Sequence, residues 1–74
     1  MMPPRSVLLF ESVSAALQAE KILKAVDIAH KIIPVPKHIS SDCGVCIRVD
    51  EENLDRALQA LQGRVVLQDT RQLP

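Results

Sequence analysis

The chain has 74 residues, nine basic and nine acidic side chains that give a formal net charge of +0, and a single aromatic residue, Phe10. A domain of this size has a thin core and little room for an enclosed pocket, which favours a carrier or binding module over an enzyme with a deep active site. The balanced charge and the shortage of aromatic side chains argue against nucleic-acid partners.

The first half of the chain predicts a strand, a helix and a second strand. Residues 6–10 are apolar on both faces, as in a central strand that is covered on each side or that associates through one face, so a homodimer is expected. Apolar side chains recur at helical spacing over residues 14–26, with Ser12 or Ser14 as the cap. Residues 30–35 read as the second strand, and Pro34 places it at a sheet edge.

The second half predicts a strand, a helix and a last strand. Residues 45–49 alternate as in a half-buried strand, with Cys46 on the face away from the core. Asp50 is the expected cap of a second helix, whose apolar stripe over residues 54–61 stops at Gly63. A fourth strand is expected over residues 64–68. The two ends of the chain, 1–5 and 69–74, are expected to be flexible.

This order, β-α-β-β-α-β, predicts one α+β domain over residues 1–74, a ferredoxin-like sandwich with a four-stranded antiparallel sheet and both helices on one face. The loop between the second and third strands would then lie at the same end of the sheet as the start of the first helix. We therefore expect Cys43 to lie near Ser12 and Ser14.

No apolar run approaches the roughly 20 residues of a membrane span, and residues 7–10 are too few for the core of a signal peptide. We expect a cytoplasmic protein with no membrane partner. In that compartment Cys43 and Cys46 are more often reduced thiols, metal ligands or a catalytic pair than a structural disulfide.

The surroundings of Cys43 bear on its chemistry. Lys37, His38 and a nearby helix N-terminus would favour its thiolate, whereas Asp42 would oppose it. Gly44 leaves room for another chain or a ligand to approach the sulfur closely. These neighbours are compatible with a reactive thiol on a loop.

The spacing Cys43-x-x-Cys46 is also that of thiol oxidoreductases, in which the second thiol resolves a mixed disulfide. There the pair opens a helix, whereas here it leads into a strand. A metal alternative uses His38, Cys43 and Cys46 for zinc or copper(I), but His30 lies too far along the second strand to be a fourth ligand. The plainer interpretations are a packing role for Cys46 and a solvated loop position for His38.

The segment from Pro34 to Gly44, Pro-Val-Pro-Lys-His-Ile-Ser-Ser-Asp-Cys-Gly, resembles the motif Pro-x-Pro-[Arg/Lys]-x-[Ile/Leu]-Ser-Ser-x-Cys-Gly of the selenium/sulfur carrier-like family of small bacterial proteins. The similarity extends to the first strand and both helices, and so covers nearly the whole chain. It implies that Cys43 is the reactive thiol, that Gly44 lies beside it, and that Ser40 and Ser41 shape the loop.

The resemblance implies a carrier that holds sulfane sulfur or reduced selenium on Cys43 as a persulfide or perselenide. It would receive this cargo from one protein and pass it to another, without multi-turnover catalysis of its own and with no other cofactor expected. Two alternatives stay open. One is a metal or redox module that uses Cys43 and Cys46 together, and the other is a regulatory domain that associates through an open sheet face.

Overall fold

A computed structural model describes residues 4–39 and 44–73. Two helices and four strands follow one another along the chain, with one turn of 3-10 helix before the second helix. The elements are β1 (Arg5–Phe10), α1 (Val13–Ala25), β2 (Lys31–Pro34), β3 (Val45–Asp50), the 3-10 turn (Glu51–Asn53), α2 (Leu54–Leu61) and β4 (Leu67–Leu73). The predicted sequence of elements is confirmed.

The four strands form one sheet in the order β2-β3-β1-β4. All neighbours are antiparallel, with Leu9 opposite Cys46 between β1 and β3, and Ile33 opposite Cys46 between β2 and β3. The predicted four-stranded antiparallel sheet with two helices is therefore confirmed. β2 is an edge strand, as Pro34 predicted, because a proline has no N–H to donate to a further strand.

Both helices pack on one face of the sheet, called here the helix-covered face. Its core joins side chains of both helices to side chains of the two central strands, and every one is almost fully buried. The largest contributions come from Leu8, Phe10, Leu23, Ile47 and Leu61. Burial of each such side chain stabilises the fold by about 1.5–3 kcal/mol before the entropy of ordering it is subtracted.

The opposite face, called here the outer face, has a smaller apolar cluster. Val7, Leu9 and Cys46 are buried there, and Ile39 from the β2–β3 connection packs against them. β1 is thus covered on both faces, as its uninterrupted apolar run predicted. The outer face is covered at this position by the chain's own loop.

The first helix begins where the sequence indicated, within one residue. Ser12 is its N-cap, and the Ser12 hydroxyl accepts a hydrogen bond from the backbone N–H of Ala15 at 3.1 Å. The chain leaves α1 through Asp27, whose φ of 58° lies in the left-handed region that aspartate tolerates better than most residues. Neither helix in the described part of the chain is long and apolar enough to cross a membrane.

Asp50 does not cap the second helix as predicted. It precedes the 3-10 turn, and its side chain makes no capping hydrogen bond. Its carboxylate lies instead 3.7 Å from Nε of Arg5, which is its partner across the β1–β3 ladder. The neighbouring carboxylate of Glu51 accepts a hydrogen bond from the Ser6 hydroxyl. Asp50 and Glu51 therefore interact with side chains of β1, Arg5 and Ser6 respectively.

The fourth strand was predicted over residues 64–68, and this is wrong. β4 is Leu67–Leu73, so most of the segment expected to be a frayed tail pairs with β1. The chain first turns through Gly63, which has a φ of 77°, and the N–H groups of Arg64 and Val65 both donate to the carbonyl of Leu61. The apolar residues that were expected in the strand lie in this turn and directly after it. The segment that follows them forms backbone hydrogen bonds with β1.

Candidate functional site

The β2–β3 connection is closed at its base by backbone hydrogen bonding. Pro34 is opposite Val45, and the N–H of Val35 donates to the carbonyl of Gly44 at 3.2 Å. Ser40, Ser41, Asp42 and Cys43 lie outside the described residues, so the predictions made for Ser40, Ser41 and Cys43 stay predictions. The structure describes both flanks of this segment. One is the hydrogen-bonded base of the loop, called here the stem, and the other is the segment of residues 35–39 that leads to Ser40, called here the descending arm.

The descending arm contains a tight turn. The N–H of Ile39 donates to the carbonyl of Pro36 at 3.0 Å, which leaves Lys37 and His38 exposed at the turn. Ile39 turns back onto the sheet and is only 8% exposed. The segment therefore presents two basic side chains to solvent immediately before an apolar anchor.

Gly44 is exposed on the other side of the loop. A Cβ atom placed on it would meet none of the described atoms within 4 Å, and its φ lies outside the left-handed region. Neither the backbone conformation nor the packing of the described residues requires a glycine here. None of the described residues occupies the space that a side chain at this position would fill.

The start of α1 lies at the same end of the sheet as this loop. β1 runs toward Phe10 and pairs Leu9 with Cys46, so the end of β1 and the beginning of β3 are side by side. The stem of the loop and the helix N-terminus therefore share one end of the molecule, as predicted. Ser12 has a structural role there as the helix cap, and Ser14 is exposed in the first turn.

Cys46 lies on the outer face of the sheet, as predicted from the strand alternation, and its relative exposure is 0%. Leu9 and Ile33 flank it on the neighbouring strands, and it belongs to the same cluster as Ile39. This is the environment of a packing residue. A reagent can reach the Cys46 sulfur only if this packing opens.

The residues offered for a metal site differ widely in their surroundings. His38 is exposed in the turn, whereas Cys46 is buried under the loop. His30 is engaged elsewhere, with Nδ1 2.8 Å from the Ile28 carbonyl oxygen and Nε2 3.7 Å from a Glu20 carboxylate oxygen. Across residues 4–39 and 44–73 no three histidine, cysteine or acidic side chains come together as a metal-binding group.

Sequence reasoning missed the part played by Ile39. It is the one apolar side chain between Lys37 and Cys43, and that isolation was the available signal. A single large apolar residue within a polar loop often marks the point at which the loop packs onto the core. Here Ile39 packs into the cluster that contains Cys46 and so holds the segment that leads to Cys43 against the sheet.

The pattern of the family described as "Putative Se/S carrier protein-like" matches residues 5–67 of the chain. This range contains both helices, the first three strands and the whole β2–β3 connection. Comparisons with curated proteins and with solved structures gave no match.

Proposed function

The chain belongs to the Se/S carrier protein-like family, and from this premise we propose that it carries sulfane sulfur or reduced selenium on Cys43 and transfers it between two proteins. The family match over residues 5–67 is the observation that carries the proposal, because the matched range includes the cysteine loop. The geometry of the flanking residues supplies independent support.

The proposed transfer conserves electrons. The Cys43 thiolate attacks the outer sulfur of a persulfide on the donor protein, a new S–S bond forms, and the donor's own S–S bond breaks to release a thiolate. An acceptor thiolate then attacks the outer sulfur on Cys43 in the same way. The corresponding donor for selenium is a thiol that carries a selenium atom. Neither step needs an external oxidant or reductant.

The residues on either side of Cys43 suit a bound anion. Lys37 and His38 are exposed in the turn before it, and a cation near a thiolate or persulfide favours the charged form. Gly44 follows it with open space in front of its backbone. An incoming donor or acceptor thiol could therefore approach without displacing a side chain at this position.

A one-thiol mechanism is favoured over one that uses both cysteines. Cys46 is fully buried on the outer face, in the cluster that also contains Ile39. A buried packing cysteine is a weaker candidate for a metal ligand or a resolving thiol than a cysteine on a loop. The carrier mechanism asks nothing of Cys46, whereas the metal and redox alternatives both depend on it.

The donor and acceptor are proposed to dock at the loop end of the sheet. Val13 and Leu17 occupy positions i and i+4 at the start of α1, and they are 50% and 47% exposed. This places an apolar pair at the same end as the loop stem. A transient protein contact commonly centres on a few such side chains.

Two further expectations accompany the proposal. We infer that the fold is of the ferredoxin-like type, which the β-α-β-β-α-β order and the strand order β2-β3-β1-β4 support. We expect the carrier to act in the cytoplasm, where a thiol remains reduced between transfers. Homodimer formation remains a prediction from the apolar β1 sequence.

The test is mass spectrometry of the intact protein after incubation with a protein persulfide donor and, separately, with a thiol-bound selenium donor. The Cys46→Ala variant leaves Cys43 as the only thiol and is expected to gain the mass of one sulfur or selenium atom. Alanine is preferred to serine because a hydroxyl at this buried position would need a hydrogen-bond partner. The matched Cys43→Ala variant is expected to gain nothing.

Two results would contradict the proposal. One is an unmodified Cys43 in the Cys46→Ala protein, with a folded state verified by circular dichroism. The other is a wild-type product that has lost two hydrogens through a Cys43–Cys46 disulfide, with no chalcogen bound. The second result would support the redox alternative.

A further inference from the structure

A second site lies at the end of the sheet opposite the cysteine loop. It is a cleft of about 280 Å³ where β1 and β2 begin and β3 ends. Its charged and polar lining consists of Arg5, His30, Lys31, Arg48 and Asp50. None of these side chains takes part in the proposed transfer.

The cleft has an excess of positive charge. Its three cations, Arg5, Lys31 and Arg48, face one carboxylate, Asp50, so the charge is three minus one, or +2 with His30 neutral. The whole chain has a formal net charge of +0. Positive charge is therefore concentrated at this end of a protein that is neutral overall.

Two of these cations oppose each other directly. Lys31 is the register partner of Arg48 across the β2–β3 ladder, so both side chains leave the same face of the sheet. Like charges in this arrangement destabilise a sheet. Within the described part of the chain neither side chain has an ion-pair partner. Asp50, the one carboxylate among the residues that line the cleft, is paired with Arg5 rather than with either of these cations.

Arg5 adds a third cation whose hydrogen bonding is incomplete. Its Nε is buried, and among the described residues it has no hydrogen-bond partner. The closest carboxylate oxygen, on Asp50, is 3.7 Å away, which is too long for a hydrogen bond. The side chain as a whole is 28% exposed and lines the cleft. Asp50 thus offsets the Arg5 charge only in part.

We propose that this cleft binds a phosphate dianion, either free or as the terminal group of a small phosphate ester. Arginine matches phosphate oxygens with paired N–H donors, and lysine contributes a point charge. A dianion balances the net charge of the cleft and separates Lys31 from Arg48. His30 lines one wall but is held by Ile28 and Glu20, so it leaves the anion to the three cations.

The test is an NMR titration of the full chain with inorganic phosphate, in which chloride keeps the ionic strength constant. Saturable shifts are expected for the amides of Arg5, Lys31 and Arg48. Arg48→Gln is expected to weaken the apparent affinity by about tenfold or more, since it removes a charged hydrogen-bond donor. Arg56→Gln, which removes an exposed arginine of α2, is the matched control and should leave the affinity unchanged.

Titrations with two further ligands distinguish free phosphate from a phosphate ester. Adenosine monophosphate that binds more tightly than phosphate would assign the site to an ester, and equal affinities would assign it to the free ion, while adenosine should not bind. Lys31→Gln provides a second variant, and retained dispersion of the amide spectrum shows that each variant is folded. Shifts that rise linearly without saturation, or that are the same in Arg48→Gln and wild type, would overturn the proposal.

Discussion

The two faces of the sheet are covered in different ways. On the helix-covered face, Phe10 of β1 belongs to one buried cluster with Leu23 of α1 and Leu61 of α2. On the outer face, the smaller cluster of Val7, Leu9 and Cys46 includes Ile39 from the cysteine loop, and three partly buried side chains pack against it: Ile33, Val35 and Leu73. The first arrangement serves the stability of the domain. The second links the position of the loop to the packing of the sheet.

The difference suggests how a small domain can combine a stable core with the cysteine loop. The helices cover the larger cluster, so the loop is not needed to hold the two central strands against the helices. Opening of the segment that carries Ile39 should therefore cost less free energy than opening of the helix-covered core. Regions with few buried contacts open locally at lower free energy than the core.

The largest effect is expected on the helix-covered face. Phe10→Ala should lower the free energy of unfolding by about 3–5 kcal/mol, because it removes the largest buried side chain and leaves a cavity. That loss is a substantial fraction of the stability of a domain of this size. Urea denaturation followed by circular dichroism measures it. A loss no greater than that of a surface substitution would contradict the assigned burial.

A smaller effect is expected on the outer face. Ile39→Ala should lower the free energy of unfolding by about 2 kcal/mol, at the low end of the range for core isoleucine, because its cluster is small. The same change should expose Cys46, so a thiol reagent should modify Cys46 faster in a Cys43→Ala background. Ile39→Val, which keeps most of the side chain, is the control.

An unchanged rate of Cys46 modification in Ile39→Ala would mean that Ile39 does not cover Cys46. In that case the two faces would not differ in the way described, and the two-thiol alternative would regain support. The stability measurement and the labelling rate therefore test separate parts of the comparison.

The smallest effect concerns Asp69 at the edge of the outer face. The backbone N–H of Thr70 first, and then the Arg71 guanidinium, hold the pKa of the Asp69 carboxyl below its usual value of 3.8. A carboxyl whose pKa is lower in the folded state stabilises the fold above its unfolded pKa, and this contribution is lost as the pH falls through the folded value. Asp69→Asn should therefore lower the melting temperature slightly at neutral pH.

The difference in melting temperature between wild type and Asp69→Asn should shrink as the pH falls below 3.8. The wild-type carboxyl becomes protonated there, first in the unfolded state and then in the folded state, and loses its charge. Thermal unfolding over a pH series measures it. Glu11→Gln is a suitable control, because Glu11 is exposed and has no ion pair within residues 4–39 and 44–73. An Asp69→Asn effect that stays constant with pH would show that the carboxylate charge is not its cause.

Much of the architecture could be predicted from local sequence. Helices and strands followed from apolar periodicity, and Ser12 marked the start of α1 because a hydroxyl can accept from a free N–H of the first turn. The prediction failed for β4, where Val65 and Val66 precede the strand and the mostly polar segment Leu67–Leu73 forms it. Pairing with β1 decided this, and a ladder partner is not visible in the local pattern.

The candidate site was predictable to a similar extent. Alternation along β3 separated Cys46 from the loop, and topology placed the loop stem beside the start of α1. The packing of Ile39 into the cluster that contains Cys46 was not predictable, since it depends on how a turn folds back onto the sheet. The meeting of Arg5, Lys31 and Arg48 was equally hidden, because these residues are far apart in the chain.

The sequence by itself determined the order of the elements, the cysteine motif and the resemblance that leads to Cys43. These are properties of short segments, in which hydrogen bonding and apolar spacing act over a few residues. Only the tertiary structure decided which segment completes the sheet, which thiol is buried and which cations share a cleft. Each of these depends on contacts between distant segments, and such contacts form only when the whole chain packs.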